Sequence, residues 1–184
     1  MTWSSQTIEG SDGTGLYVRQ TGNLTGPAIV FCDGIGCDGY MWRYVFPLFR
    51  RLGFRLVHWH YRGHGCSDRA AQPERLAITD HADDLACILD ALDLESATLI
   101  GHSMGVQVCL ETWHRHRGRV NALMLVYGAA GRLLDSFGDD DILARLHPFL
   151  MASVKRYPTA IRTVWRHFIP TKLSLLIGLT TELN

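Results

Sequence analysis

The sequence predicts an α/β fold built on a mostly parallel, doubly wound sheet. Short apolar runs alternate with stretches of helical periodicity along most of the chain, which is typical of a parallel sheet with helices on both faces. The run "AIVFCD" at residues 28–33 is apolar almost throughout, as in strands that are buried on both faces. The length of 184 residues favours one domain with a sizeable core.

The predicted elements follow one another in a regular order. "QTIEG" and "GLYVRQT" flank the turn-rich "SDGT", which predicts an antiparallel hairpin near the N-terminus. The patterns also predict strands at residues 28–33, 54–60, 97–101 and 120–128, and helices near residues 40–52, 80–92 and 104–116.

Charges near two of these helices are expected to suit the helix dipole. Asp80 is expected to cap the second helix, with Asp83 and Asp84 in its first turn, where negative charge is favourable. "HRHRGR" at residues 114–119 is expected to place positive charge at the end of the third helix.

The pattern changes after Gly131. Residues 139–184 contain no convincing core strand, and their helical stretches are broken at Pro148, Pro158 and Pro170. We therefore predict a core at residues 1–131 and a partial helical lid at residues 132–184.

Composition excludes several classes of partner. Eighteen basic residues balance eighteen acidic ones, so neither nucleic acid nor an acidic membrane surface is an expected partner. Five cysteines, odd in number and without a C-x-x-C pair, indicate reduced thiols, and the N-terminus shows no signal peptide. The apolar run "LSLLIGL" is too short to span a bilayer. These observations predict a cytoplasmic, soluble protein.

The segment "GHSMG" at residues 101–105 lies between a predicted strand and a predicted helix. A serine at such a turn stands clear of its surroundings, and the helix N-terminus directs free N–H groups toward charge that develops at a reacting carbonyl. This G-x-S-x-G arrangement is the nucleophile elbow. It predicts that Ser103 is a nucleophile.

Three segments, in this order, resemble motifs of the α/β-hydrolase family: "DGIG" at residues 33–36, "YRGHGCSD" at residues 61–68, and "GHSMG". The resemblance implies that the backbone amides of Met104 and Ile35 hold the oxyanion. Further substrate contacts are expected from Gly34, Gly36, His102, Tyr40 and Trp42. For the two aromatic residues, the alternative is that they form the packed face of the following helix. Serine at the elbow counts against dehalogenases and epoxide hydrolases.

Two positions depart from the family pattern. The family usually has His where Asp33 stands and Asp where His60 stands, at the ends of two neighbouring strands. One hypothesis is that Asp33 and His60 keep an acid–imidazole contact with the identities exchanged; the alternative is two independent changes. H-x-H-x3-H, formed by His58, His60 and His64, resembles a zinc pattern, but the same residues already match the hydrolase loop. We predict no metal and no cofactor.

The general base and the acid of a catalytic triad are not evident. In this family the acid and histidine follow the serine, beyond the lid. His114 is about 16 Å along the helix from Ser103, His147 and His167 belong to the predicted lid, and Asp135 is the best acid available. Three explanations stay open: a chain truncated at its C-terminus without the last strands, which we favour; a second chain that supplies the missing groups; or a non-catalytic relative.

The sequence therefore predicts a serine hydrolase that acts on a small ester-like molecule through an acyl-enzyme, inactive as this chain if the triad is incomplete. The alternative is a ligand-binding relative without catalysis or a partner subunit.

Overall fold

The computed structural model describes residues 2–128 of the chain. The chain divides into two units between Ala130 and Gly131, and the described residues belong to the first. The lid predicted at residues 132–184 lies outside them. In residues 2–128, no helix is long and apolar enough to cross a bilayer.

A six-stranded, mostly parallel sheet forms the described unit, in the order β1-β2-β4-β3-β5-β6. The antiparallel hairpin of β1 and β2 pairs with β4, and β4, β3, β5 and β6 run parallel to one another. The strands are β1 Ser4–Glu9, β2 Gly15–Gly22, β3 Ala28–Cys32, β4 Arg55–Trp59, β5 Ala97–His102 and β6 Val120–Val126. The predicted fold class is confirmed.

Three α-helices connect the parallel strands: α1 Val45–Arg51, α2 Ile78–Ala91 and α3 Met104–Arg115. Short 3-10 turns at Tyr40–Trp42 and Arg117–Arg119 precede α1 and β6. The region predicted as one helix near residues 40–52 is therefore a 3-10 turn followed by a separate α-helix.

The sheet buries both of its faces. Along β3, Val30 packs in the core cluster that contains the apolar face of α2, whereas Ile29 and Phe31 pack in a second cluster with Phe46 of α1. This division follows from the two-residue period of a strand, which sends neighbouring side chains to opposite faces. Helices on both faces fix the carboxyl ends of β3, β4 and β5 as one edge, where loops meet.

The predicted cap of α2 is wrong in one respect. The helix begins at Ile78 after Ala77, so that Asp80 is its third residue rather than its cap. Asp80 Oδ2 accepts a hydrogen bond from the Ala77 N–H at 2.9 Å, and Asp80 Oδ1 accepts one from Arg75 Nε at 2.8 Å. Asp80 therefore satisfies a free N–H group from inside the first turn.

Asp83 joins α2 to the end of α3. Its carboxylate accepts hydrogen bonds from Arg115 Nε at 3.0 Å and Nη2 at 2.9 Å, and it contacts His116 Nε2 at 2.9 Å. The basic cluster at the end of α3 therefore pairs with a carboxylate of α2, in addition to suiting the dipole of its own helix.

Asp84 lies in a buried ionic cluster and not in the first turn of α2, where we expected it. Arg62, fully buried in the loop after β4, donates from Nε to Asp84 Oδ2 at 2.7 Å and also binds Asp84 through Nη2. Arg62 Nη1 lies 2.8 Å from Asp12 Oδ2, and Nη2 donates to Ser11 Oγ at 3.0 Å. One guanidinium thus connects the β1–β2 turn, the loop after β4 and helix α2.

Candidate active site

Ser103 occupies a strained turn between β5, which ends at His102, and α3, which begins at Met104. Its backbone angles are φ 54° and ψ −118°, a region that non-glycine residues rarely adopt. Two hydrogen bonds hold the turn: the Ser103 N–H donates to the Val126 carbonyl at 3.2 Å, and the Ser103 carbonyl accepts from the Val106 N–H at 3.0 Å. Such strain at a half-buried serine is typical of functional sites.

Steric crowding requires glycine at the positions two residues before and two residues after Ser103. A Cβ on Gly105 would collide with the Cys32 carbonyl and lie 2.8 Å from the Asp33 carbonyl oxygen. A Cβ on Gly101 would collide with the Gly105 carbonyl, because α3 starts directly over β5. Both glycines are needed so that α3 can approach the ends of β3 and β5.

The loop that follows β3 lies against the serine. A Cβ on the buried Gly34 would be 3.1 Å from Ser103 Cβ and 3.1 Å from His102 Nδ1. The Cys37 N–H donates to the Gly34 carbonyl at 3.1 Å and closes a turn over Ile35 and Gly36. Gly36 has φ 70°, which suits a glycine in that turn.

The two amides predicted as oxyanion donors lie in the loop after β3, for Ile35, and at the first residue of α3, for Met104. Within residues 2–128 the Ile35 N–H has no backbone acceptor, and its side chain is 69% exposed. Met104 is the first residue of α3, where an N–H has no carbonyl one turn earlier in the helix. This arrangement is compatible with the predicted roles, which stay predictions.

Asp33, at the start of the oxyanion loop, contacts a histidine, but not the one that we expected. Its Oδ2 lies 2.8 Å from His58 Nε2, its Oδ1 accepts from Trp42 Nε1 at 2.5 Å, and its carbonyl accepts from the Tyr61 hydroxyl at 2.8 Å. The imidazole of His60 instead accepts the Cys66 N–H at Nδ1, at 2.9 Å. The loop after β4 thus engages His60 and leaves the carboxylate to His58.

Arg19 fixes the tautomer of His58. Arg19 Nε donates to His58 Nδ1 at 3.1 Å, so the ring proton lies on Nε2 and is donated to Asp33. Burial disfavours the charged carboxylate, but the hydrogen bonds from His58, Trp42 and the Gly39 N–H outweigh it and lower the pKa of Asp33. A chain of hydrogen bonds therefore runs from β2 through β4 to the oxyanion loop.

The three histidines of the H-x-H-x3-H pattern have separate partners. His58 bonds to Asp33 and Arg19, His60 to the Cys66 N–H, and His64 Nδ1 lies 3.1 Å from the Arg62 carbonyl. Within residues 2–128 no three His, Cys, Asp or Glu side chains are placed to hold a metal ion. Burial, followed by the neighbouring His58 and Arg19, lowers the pKa of His60 to about 4.

Of the residues expected to contact substrate, Trp42 is placed differently. It is only 5% exposed and packs on Phe31 with ring centroids 5.3 Å apart, which favours the packed-face alternative for this residue. Tyr40 is exposed, and its ring carries the guanidinium of Arg43. His102 is half-buried beside Gly34, and its buried Nδ1 has no hydrogen-bond partner among the described residues.

The cysteine nearest the oxyanion loop is not an activated nucleophile. Burial, with the nearby carboxylates of Asp33 and Asp38, raises the pKa of Cys37 to about 11. A protonated thiol is a poor nucleophile. Ser103 therefore stays the candidate for attack.

No described histidine bonds to the Ser103 hydroxyl. Within residues 2–128, His114 lies at the end of α3 and His116 pairs with Asp83. The other candidates, Asp135, His147 and His167, lie outside the described residues.

Sequence reasoning missed the part that Arg19, His58 and Tyr61 take in supporting Asp33. Arg19 and His58 are paired in the register of β2 and β4. That strand neighbourhood follows from the sheet order rather than from the local pattern, and only the family resemblance could have supplied it.

The chain belongs to the α/β-hydrolase fold family, because residues 27–169 match the family described as alpha/beta hydrolase fold. An epoxide hydrolase of Caballeronia sordidicola is 30% identical over 118 residues, which are 64% of this chain and 34% of that protein. The 3-oxoadipate enol-lactonase 1 of Acinetobacter baylyi is 36% identical over 98 residues, covering 53% of this chain and 35% of that protein. The chain thus spans about a third of the length of these relatives.

Solved structures show the same fold. The crystal structure of epoxide hydrolase A from Mycobacterium thermoresistibile matches with a TM-score of 0.63 at 28% identity, over 67% of this chain and 39% of that one. A carboxylesterase structure from Nitrososphaera gargenis matches with a TM-score of 0.67 at 24% identity, over 77% of this chain and 51% of that one. The named relatives are hydrolases of several kinds, so the comparisons support a hydrolase without fixing the bond that is cleaved.

Proposed function

We propose that this chain is the nucleophile-bearing part of a serine hydrolase that acts on a small ester-like substrate through an acyl-enzyme. The observation that carries the proposal is the strained Ser103, held between β5 and α3 with the Gly34 loop against it. That geometry supports a nucleophilic role for Ser103, because the loop that carries Ile35 and the first turn of α3 both adjoin it.

In the proposed reaction, Ser103 Oγ attacks the ester carbonyl carbon and gives up its proton to a base. The tetrahedral intermediate places negative charge on the former carbonyl oxygen, and the N–H groups of Ile35 and Met104 donate to that oxygen. Donors of this kind each contribute about 10²- to 10³-fold in rate. Collapse expels the alcohol and leaves an ester on Ser103, which water then hydrolyses.

The chemistry of the serine favours esters over the substrates named for some relatives. Attack of an alkoxide on an epoxide or an alkyl halide would leave an ether on Ser103, and water does not readily cleave an ether. Attack on an ester or lactone leaves an acyl group, which water removes in the second half of the reaction. The likeness to an enol-lactonase is compatible with this choice.

The second candidate is a relative that binds a ligand without catalysis. It is favoured by one observation: within residues 2–128, no imidazole donates to or accepts from Ser103 Oγ. A serine without a base is a weak nucleophile. The two candidates differ in whether Ser103 is activated.

A fluorophosphonate probe distinguishes them. We expect the protein to gain the mass of one phosphonyl group, measured by intact-mass spectrometry, and Ser103→Ala to gain none. Ser5→Ala, at an exposed position of β1, is the matched control and should label like the unmodified chain. Unlabelled wild-type protein with a native circular dichroism spectrum would be evidence against an activated Ser103 in this chain, and would leave either the binding candidate or a hydrolase chain without its triad.

A further inference from the structure

A cleft lies between the N-terminal segment, β2 and the start of α1. Its volume is about 360 Å³, within the usual range for small-molecule sites. Neither the Gly34–Ile35 loop nor Ser103 and Met104 contributes to its lining. Three aromatic rings, two guanidinium groups and one proline line it: Trp3, Tyr40, Phe46, Arg19, Arg43 and Pro47.

Two guanidinium groups are held at this cleft by aromatic rings. The guanidinium of Arg43 lies 3.8 Å from the centroid of Tyr40 and 4.3 Å from that of Tyr44, and it donates from Nη1 to the Tyr40 carbonyl at 3.2 Å. The guanidinium of Arg19 lies 4.8 Å from the Trp3 ring. Stacking uses the flat face of a guanidinium and leaves N–H groups at its edge for planar anions.

Arg19 is also fixed in position by hydrogen bonds. Its Nε donates to His58, and its Nη2 donates to the Asp38 carbonyl at 3.2 Å. A cation that is held in place before a ligand arrives loses less conformational entropy on binding. This favours recognition of an anionic group at a defined point of the cleft.

The remaining wall of the cleft is apolar. Trp3 and the buried Phe46 meet edge to face with centroids 5.0 Å apart, next to Pro47. One carboxylate, that of Asp38, also lines the cleft, and it accepts from the Tyr40 N–H at 3.2 Å. Two guanidinium groups against one carboxylate leave the lining with a positive balance beside aromatic surface.

We propose that this cleft binds a small aromatic carboxylate, with the carboxylate on the N–H edges of Arg43 and Arg19 and the ring against Trp3 and Pro47. The site goes beyond the hydrolase function proposed above and does not depend on Ser103. A ligand at this point would contact Arg19, the first residue of the hydrogen-bond chain to Asp33.

The test is calorimetric titration of the full chain with 2-naphthoate, with the uncharged 2-naphthamide as the matched ligand. We expect saturable binding of 2-naphthoate. The amide should bind at least about tenfold more weakly, because it loses a charged hydrogen bond. Arg43→Gln should raise the Kd for 2-naphthoate about tenfold. Arg51 is an exposed arginine of α1 outside the lining, so Arg51→Gln should leave that Kd unchanged.

Ser103→Ala separates this site from the reactive one and should bind 2-naphthoate like the unmodified protein. Arg43 is exposed, so its variants are expected to keep the native circular dichroism spectrum. Arg43→Lys, which keeps the charge and loses the planar fork, should fall between Arg43→Gln and wild type. Any one of four results overturns the proposal. They are the same affinity for 2-naphthamide as for 2-naphthoate, the same affinity of Arg43→Gln as of wild type, loss of binding in Ser103→Ala, and no saturable binding at all.

Discussion

Acid should destabilise the described unit over a window that two buried histidines define. Burial lowers the pKa of His60 to about 4 and that of His81 to about 4, from an ordinary value of 6.5. His81 packs on Tyr61 with ring centroids 4.8 Å apart, and its buried Nδ1 has no hydrogen-bond partner among the described residues. Both rings are therefore expected to stay neutral in the folded protein at moderately acidic pH.

The direction of the effect follows from proton uptake. Above about pH 6.5 the histidines are neutral in the folded and unfolded chain alike, so they contribute no pH dependence. Between about pH 6.5 and about pH 4 the unfolded chain binds protons that the folded protein excludes. The free energy of unfolding therefore decreases as the pH is lowered through this range. The pKa of Asp33 is lowered below its ordinary value of 3.8, so its contribution is lost only at still lower pH.

The magnitude comes from the size of the shift. Each histidine costs about 1.4 kcal/mol per pH unit below 6.5, which is about 2 kcal/mol at pH 5. His60 and His81 together thus remove about 4 kcal/mol between about pH 7.5 and about pH 5. That is a large part of the 5 to 15 kcal/mol, roughly, that stabilises a typical domain.

Urea unfolding followed by circular dichroism at the two pH values measures this loss. His81→Phe keeps an aromatic ring against Tyr61 without a titrating nitrogen, and it should lose about half as much free energy of unfolding as wild type. His114→Gln, at an exposed position near the end of α3, is the control and should lose as much as wild type. Equal unfolding free energies at both pH values, or a His81→Phe variant as acid-sensitive as wild type, would refute the reasoning.

Three further predictions concern the elbow, the carboxylate of Asp33 and the buried ionic cluster of Arg62. Gly105→Ala should lower the free energy of unfolding by about 1–3 kcal/mol and reduce fluorophosphonate labelling, because its Cβ collides with backbone, whereas Gly118→Ala, which has open space, should do neither. Asp33→Asn leaves one of two buried donors facing an amide NH2 group, so urea unfolding should show a loss of about 1–3 kcal/mol. Arg62→Leu removes the cation that pairs with two carboxylates, so it should lower the free energy of unfolding by about 3–5 kcal/mol in the same measurement. Arg69→Leu, at an exposed position, should not.

The sheet and the elbow were predictable because their signals are local. An apolar run such as residues 28–33 needs two covered faces, and "GHSMG" between a strand and a helix allows few backbone solutions. The hairpin, the parallel strands and the three helices of residues 2–128 were therefore found, although the predicted helix at residues 40–52 is a 3-10 turn followed by the shorter α1. The strained backbone of Ser103 is the physical counterpart of that motif.

The partners of charged side chains were not predictable in the same way. Asp83 and Asp84 were interpreted through the dipole of their own helix, but their cations come from Arg115 in α3 and Arg62 in the loop after β4. Asp33 was paired with His60, because both follow neighbouring strands, although His58 is the residue that reaches it. Such contacts depend on how loops turn after the strands end, which the periodicity of a sequence does not encode.

The bend at residue 103 is imposed by what surrounds it: the crossing of α3 over two strands, and the hydrogen bonds to Val126 and Val106. None of these constraints involves the hydroxyl. A change of one codon can therefore place a thiol or a carboxylate at the same point without rebuilding the scaffold. Under the proposed function, the backbone fixes the position of residue 103, and the side chain at that position determines which reaction is possible.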